Sequence, residues 1–239
     1  MEQASSSLNP EKTYNISIRF HSNGFSLLIY DKGEKLITSK QIFASIDTLS
    51  ETEITTLIAK ESDIEIHNKN IELIYEADRY TVVPSTIFKS EDAESLLNFH
   101  FQPSHTSSTL WNRVLDEEVV VIFSIPSSLK LALQTLFPST TITHHISHFI
   151  QTIKAANQSS LHIWVRSTKM DVVVFKNGNL RLVNSFSYQT TEDMTYHTLN
   201  IYEQLQLDTE KHSVYIYNDL KKEELKKMLK RYVGEVVSS

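Results

Sequence analysis

Apolar and polar residues alternate at the start of the chain, over residues 14–20, where every second residue is Tyr, Ile or Phe. An alternation of period two predicts a half-buried β-strand. The turn at 21–24 carries an Asn-Gly dipeptide, which is typical of tight hairpins. Further strands are predicted at 25–30 and 35–43, so the chain opens with three antiparallel strands.

The middle of the chain mixes helical and strand patterns. A capping residue at Thr48 or Ser50 favours a helix to residue 60. The run at 118–125 is continuously apolar after its first residue, which predicts a strand buried on both faces. The remaining predicted elements are strands at 71–75, 80–83 and 140–144 and helices from 90, from 127 to 136 and over 146–156.

The pattern of the opening returns in the last third of the chain, after a polar joint at 157–160. Strands are predicted at 161–165, 170–175 and 180–188, with a second Asn-Gly turn before the last of them. A helix from Thr190 or Thr191 to 205, a strand at 214–217 and a helix over 220–232 follow. The order of three strands and a helix therefore occurs twice, starting near residues 14 and 161.

Two such units resemble the duplicated ribonuclease-H-like lobes of the actin, Hsp70 and sugar-kinase superfamily. The whole chain is also similar to a family of Bacteroidetes proteins of unknown function with an actin-like ATPase fold. The similar stretches are YNISIRFHSNGFSLLIYDKGE, VVVIFSIPSSLKLALQTLFP and LHIWVRSTKMDVVVFKNGNLRLVNSF. The resemblance implies an α/β fold of two ribonuclease-H-like lobes in an actin-like arrangement. We expect a disordered tail at 1–12, a first lobe at 13–157 and a second lobe at 158–239.

The superfamily binds Mg-ATP with two Asp-x-Gly hairpins and a Gly-rich turn, because glycine lets backbone amides reach phosphate and carboxylates hold the metal. Here the first hairpin, 18–24, keeps one glycine and no carboxylate. The second, 165–170, has neither before Asp171, and residues 218–221 lack the glycines of the adenosine turn. None of the family's catalytic residues is carried over, so the resemblance implies no useful ATP hydrolysis.

The two hairpins nevertheless offer cationic and hydroxyl side chains, which suit an anion bound without magnesium. The alternative is that they are ordinary solvated turn residues. The candidate residues for this anion or nucleotide site are Arg19, His21, Ser22, Asn23, Gly24, Arg166, Ser167, Thr168 and Lys169.

The last predicted helix is strongly basic, which favours contact with RNA, anionic lipid or an acidic partner. Basic residues also favour helix C-termini, so a solvated face is the alternative. The candidate contact residues are Lys222, Lys226, Lys227, Lys230 and Arg231, beside Lys221 and opposite a predicted core-facing stripe of Leu220, Leu225, Met228, Leu229 and Tyr232.

Two weaker patterns contain residue types that can bind metal ions. His144, His145 and His148 have a spacing that suits two imidazoles on one metal, but the sequence near them supplies no carboxylate ligand. The acidic run at 116–118 precedes a strand that itself carries no metal-binding carboxylate. Both are therefore interpreted as ordinary polar residues, and no metal site is predicted.

Composition narrows the function further. The absence of cysteine excludes disulfides, thiolate nucleophiles and cysteine-bound metals. A net charge of -6 argues against nucleic acid as a partner. The chain has only four glycines among 239 residues, whereas phosphate-binding loops are rich in glycine. No apolar run reaches the length of a membrane span, and residues 1–12 do not resemble a signal peptide, so we expect a cytoplasmic protein.

The leading hypothesis is a non-catalytic protein of actin-like fold that acts through protein–protein contacts as a scaffold, adaptor or assembly component. Its partner is unknown, a homodimer is one option, and no cofactor is predicted. The alternative is a divergent nucleotide-binding ATPase or kinase-like protein that uses the hairpin residues. A weaker alternative is association with RNA through the basic helix.

Overall fold

The computed structural model describes residues 13–61, 69–115, 118–153, 159–217 and 222–238. Their contacts divide the chain into two compact units, which meet between His148 and Phe149 in sequence. The predicted tail at 1–12 and the predicted change of lobe at 157–158 lie outside the described residues.

Among the residues that the structure describes, unit 1 contains eight strands and four α-helices. The strands are β1 (Tyr14–His21), β2 (Gly24–Tyr30), β3 (Leu36–Phe43), β4 (Lys69–Tyr75), β5 (Tyr80–Pro84), β6 (Ser107–Val114), β7 (Val119–Pro126) and β8 (Ile142–His144). The helices are α1 (Glu51–Glu61), α2 (Ala93–Asn98), α3 (Ser127–Leu136) and α4 (His145–Thr152), the last of which continues into unit 2.

Unit 2 contains five strands and two helices within the described residues. They are β9 (Ser160–Val165), β10 (Lys169–Lys176), β11 (Asn179–Ser187), α5 (Thr191–Gln204), β12 (Ser213–Tyr217), α6 (Lys222–Leu229) and β13 (Val236–Ser238).

Each unit is built on a five-stranded sheet of the same order. In unit 1 the order is β3-β2-β1-β4-β8, and in unit 2 it is β11-β10-β9-β12-β13. In each of these sheets the first three strands along the chain pair antiparallel. The other two strands, β4 and β8 in unit 1 and β12 and β13 in unit 2, pair parallel. This is the strand order of a ribonuclease-H-like lobe, so the predicted duplication is confirmed.

Unit 1 differs from unit 2 by an insertion between β4 and α3. The insertion forms a three-stranded antiparallel sheet of order β5-β7-β6. Its central strand β7 is buried on both faces, as its apolar sequence predicts. One face packs under α2 through Val120 and Ile122, whereas Phe123 and Ile125 join the main core of unit 1.

Alternation along the central strands separates core from surface. On β1 the residues at even positions from 14 to 20 are buried, and the intervening ones are partly exposed. On β9 and β10, Leu161, Ile163, Val172 and Val174 face the core of unit 2. Because β-strand side chains alternate between faces, one face of each sheet buries its apolar side chains under helices.

Local turn and cap chemistry explains where several elements begin and end. Asn177 and Gly178 both have positive φ, at 53° and 75°, as a tight two-residue hairpin requires. Thr190 caps α5 by accepting from the amide of Asp193, whose side chain accepts from the amide of Thr190 in return. Ser50 and Glu53 make the corresponding contacts at the start of α1.

Three details differ from the prediction. Strand β6 occupies a stretch that was predicted as a polar connection up to residue 108, and β13 was not predicted. Helix α6 ends at Leu229 rather than at 232, so Tyr232 lies beyond the helix and is 52% exposed instead of facing the core. Helical spacing no longer applies once the backbone leaves the helix.

Candidate functional site

The first hairpin, where β1 turns into β2, is shaped by close backbone packing. Gly24 has a φ of 142°, and a Cβ atom at this position would lie 1.9 Å from the carbonyl oxygen of Ile42 on β3. No other residue fits there without a backbone shift. The glycine of this hairpin is therefore required for the packing of the strand beside it.

The polar groups of the same turn bind to their own chain. The ring Nδ1 of His21 donates to the side-chain oxygen of Asn23. The carbonyl oxygens of Ser22 and Asn23 accept from the amides of Ile46 and Ala44, both at 3.1 Å. These contacts hold the turn against the segment that follows β3.

Arg19 lies on the partly exposed face of β1, close to a carboxylate on the neighbouring strand. His148 donates to Glu72 at 2.9 Å, and Ser17 donates to the same carboxylate at 3.2 Å. The hydrogen bond from His148 is the main cause that lowers the pKa of Glu72, with smaller contributions from Ser17 and the charge of Arg19, while burial opposes them. The positive charge of Arg19 is thus already partly balanced by an acidic neighbour.

The second hairpin, where β9 turns into β10, contains a buried ion pair. Arg166 is 8% exposed, and its Nε and Nη2 atoms donate to the two carboxylate oxygens of Asp171 at 2.8 and 2.9 Å. Asp171 is fully buried and also accepts from the hydroxyl of Ser185 at 2.5 Å. The guanidinium is therefore bound in the two-point geometry in which arginine pairs most strongly with carboxylates.

The backbone of this hairpin is held by Tyr188, the residue that follows β11. The hydroxyl of Tyr188 donates to the carbonyl oxygens of Arg166 and Ser167, and its amide donates to that of Thr168. Ser167 and Thr168 are exposed at the tip, and Lys169 is half-buried. The structure thus brings the candidate residues of each hairpin together within its own unit, and the expected anion site that combines both hairpins remains a prediction.

The histidine pattern forms separate contacts instead of a ligand set. His144 is buried, its Nδ1 accepts from the amide of Ile146, and its Nε2 lies 3.1 Å from the carbonyl oxygen of Ala77. The ring of His145 lies beside it, tilted by 50° with centroids 4.3 Å apart, while His148 pairs with Glu72. Among the described residues no group of three or more His, Asp or Glu side chains is placed to hold a metal ion.

The candidate contact residues of the last helix divide into two groups. Lys227, Lys230 and Arg231 are exposed. Lys222 and Lys226 are half-buried, and the Nζ atom of Lys226 donates to the hydroxyl of Ser238 on β13 at 2.7 Å. Lys226 thus has a structural contact, and the exposed charge is concentrated at the end of the helix.

Sequence reasoning missed a polar cluster on the other face of the second sheet. His162 is 4% exposed, with Ser160 and Tyr217 hydrogen-bonded to its two ring nitrogens at 2.8 and 3.0 Å. The ring of Tyr215 stacks on it at 4.8 Å, and burial lowers the pKa of His162 to about 4. The alternation along β9 could have predicted this cluster, because it places His162 on the opposite face of the sheet from the apolar Leu161 and Ile163.

The two lobes, their strand order and the insertion define a protein of the actin-like ATPase fold. A solved protein from Bacteroides thetaiotaomicron with an actin-like ATPase fold and unknown function is 26% identical, with a TM-score of 0.78. The match covers 95% of this chain and 91% of that one. A chain of the PilM-PilN type IV pilus biogenesis complex is 10% identical with a TM-score of 0.57, over 94% of this chain and 88% of that one, and shows the fold alone.

The chain belongs to the family described as protein of unknown function DUF3822, whose model matches residues 3–236. The resemblance to a family of unknown function with an actin-like fold is therefore confirmed. No curated protein matches the sequence. Within the described parts of the chain, no helix is long and apolar enough to cross a membrane.

Proposed function

We propose that this protein is a non-catalytic member of the actin-like fold, which acts in the cytoplasm through protein–protein contacts as a scaffold, adaptor or assembly component. The observation that carries the proposal is the second hairpin, where Arg166 is buried and bound at two points by Asp171. A guanidinium bound in this way is not free to bind phosphate, because its release would leave the buried carboxylate without its cation.

The first hairpin supports the same proposal by a different route. The space beside Gly24 is occupied by the backbone carbonyl of Ile42. The backbone carbonyls of Ser22 and Asn23 accept hydrogen bonds from the segment after β3. The hairpin is therefore explained by packing, without a ligand. The fold similarity to a chain of the PilM-PilN complex is consistent with a role in an assembly, since that protein was solved bound to a partner.

Calorimetric titration with ATP and ADP, with and without magnesium, tests this proposal. We expect no heat of binding at millimolar nucleotide and no phosphate release. Saturable binding with measurable turnover would overturn the proposal in favour of a divergent nucleotide-binding protein. In that case Arg19→Ala and Lys169→Ala should weaken binding, whereas Lys60→Ala, an exposed lysine on α1, should leave it unchanged.

A further inference from the structure

Three exposed cations lie at the end of α6, and they are called here the basic surface: Lys227, Lys230 and Arg231. None of them forms an ion pair within the described part of the chain. Tyr232 follows directly and is 52% exposed. Arginine and tyrosine are among the residues that contribute most to protein interfaces.

Unit 1 carries a set of opposite charge, called here the acidic surface: Glu91 and Asp92 in the short 3-10 helix that precedes α2, and Glu94 in the first turn of α2. All three are exposed, and none has a cation as partner among the residues that the structure describes. Helix α2 ends beside Phe99, whose side chain is 85% exposed. Each surface therefore combines three like charges with one exposed aromatic ring.

Helix dipoles explain the signs of these charges but not their lack of partners. Carboxylates near a helix N-terminus and cations near its C-terminus each stabilise the helix modestly. The dipole does not require the neighbouring Phe99 and Tyr232 to face solvent. Aromatic residues and arginine are enriched at protein interfaces, and the rim of an interface is polar, where exposed charges can pair with a partner.

We propose that the basic surface of one copy of this protein docks on the acidic surface of a second copy. This inference rests on the proposed function and names one of its contacts. Because the chain carries a net charge of -6, two copies repel each other in most orientations, and the basic surface provides an attractive approach. The occupant that fits it is an acidic surface with an apolar anchor, which the chain itself supplies.

The contact should be weak and sensitive to salt. Three exposed ion pairs and two aromatic rings cover less than the roughly 800 Å² per partner of a standard stable interface. Exposed charges are also screened over about 10 Å at 0.1 M salt and about 3 Å at 1 M. Self-association is therefore expected at high protein concentration and low ionic strength.

Sedimentation velocity over a range of protein concentrations, at about 0.05 M and about 0.5 M salt, tests the proposal. Wild-type protein should associate at low salt and dissociate at high salt. Reversing either surface should weaken association about tenfold or more. The basic reversal is Lys227→Glu, Lys230→Glu and Arg231→Glu, and the acidic reversal is Glu91→Lys, Asp92→Lys and Glu94→Lys.

Two recovery experiments make the test specific. The basic-reversed protein carries two acidic surfaces and the acidic-reversed protein two basic ones, so a mixture should associate again. A variant with all six substitutions should regain self-association at the original net charge. The control variant reverses three exposed lysines outside both surfaces: Lys32→Glu, Lys35→Glu and Lys60→Glu. It changes the net charge by the same amount as the basic reversal. Because it leaves the proposed contact intact, it should weaken association less than the basic reversal does.

A monomer at every concentration in low salt would overturn the proposal. It would also be overturned if one reversal left association unchanged, or if neither the mixture nor the six-substitution variant recovered it. Circular dichroism melts confirm folding, and all the substituted side chains are exposed. Such a failure would leave the proposed function standing, because that depends on the nucleotide titration.

Discussion

The buried ion pair of the second hairpin allows a quantitative test of its structural role. Arg166→Met keeps most of the side-chain volume but removes the cation that binds Asp171, which is fully buried. Breaking a buried pair from one side typically costs about 3–5 kcal/mol, because the remaining charge is uncompensated. Ser185 still donates to Asp171, so we expect a loss near the lower end, about 3 kcal/mol of unfolding free energy.

Replacing both partners should be much less harmful than replacing one. In Arg166→Met with Asp171→Leu, no buried charge remains, and apolar side chains occupy the space of the pair. Replacing a buried pair by apolar residues of similar size is often neutral or stabilising. The double variant should therefore recover most of the stability that the single variant loses.

Tryptophan fluorescence can follow the unit concerned. The chain has two tryptophans, Trp111 in unit 1 and Trp164 on β9 in unit 2. In a Trp111→Phe background, urea unfolding followed by fluorescence reports on unit 2 alone. Lys211→Met is the matched control, since it breaks an exposed pair with Asp208, which solvent screens, and should leave stability nearly unchanged.

A loss below about 1 kcal/mol in Arg166→Met would refute this reasoning. It would mean that Asp171 is compensated in another way, and Arg166 would again be available as a ligand for an anion. A double variant as unstable as the single one would show instead that the pair specifies the hairpin geometry itself.

Three other predictions concern stability. Gly24→Ala should destabilise unit 1 by more than about 1 kcal/mol in urea unfolding, because the new Cβ meets the carbonyl oxygen of Ile42 and the backbone φ is strained. Thr190→Ala should lower the melting temperature by removing the cap of α5, at a cost of about 1 kcal/mol. Burial lowers the pKa of His162 to about 4, so the unfolded chain binds a proton more readily near pH 6. Unit 2 should thus keep its full stability above pH about 6.5 and lose up to about 3 kcal/mol as pH falls towards 4, measured by urea unfolding in the Trp111→Phe background.

Each of these has its own contradicting result. A Gly24→Ala protein as stable as wild type would show that β3 moves away without cost. Thr190→Ser retains the hydroxyl and should melt like wild type, whereas an unchanged melting temperature in Thr190→Ala would show that the cap does not stabilise α5. His162→Gln should reduce the loss of stability between pH 6.5 and 4, and an identical pH dependence in that variant would assign the effect to other groups.

Much of the secondary structure follows from local signals. The alternation of β1, the apolar run of β7 and the Asn-Gly turn before β11 each predict the element that the structure contains. Thr190 and Ser50 mark helix starts because their side chains satisfy free backbone amides. The repeated order of three strands and a helix predicted the two lobes, since each order of elements admits few ways to bury its apolar faces.

Elements with weak local patterns were missed. Strand β6 reads as polar, since Ser107, Ser108, Thr109 and Asn112 interrupt its apolar residues, and only its pairing with β7 makes it a strand. Strand β13 has three residues, too few for a period to show. The predicted inward position of Tyr232 was wrong because the place where α6 ends depends on packing, which helical spacing does not contain.

The sequence by itself determined the class of elements, their order, and the absence of a carboxylate from residues 18–24 and of both carboxylate and glycine from residues 165–170, because these depend on residue type and short spacing. The tertiary structure decided how the remaining polar residues are used. Asp171 lies five residues after Arg166, and the pair forms because β9 and β10 fold back on each other and bury both groups. Gly24 is explained by Ile42, which only the register of β2 against β3 brings close. Contacts between strands depend on pairing over long stretches of chain, and such pairing is a property of the folded structure.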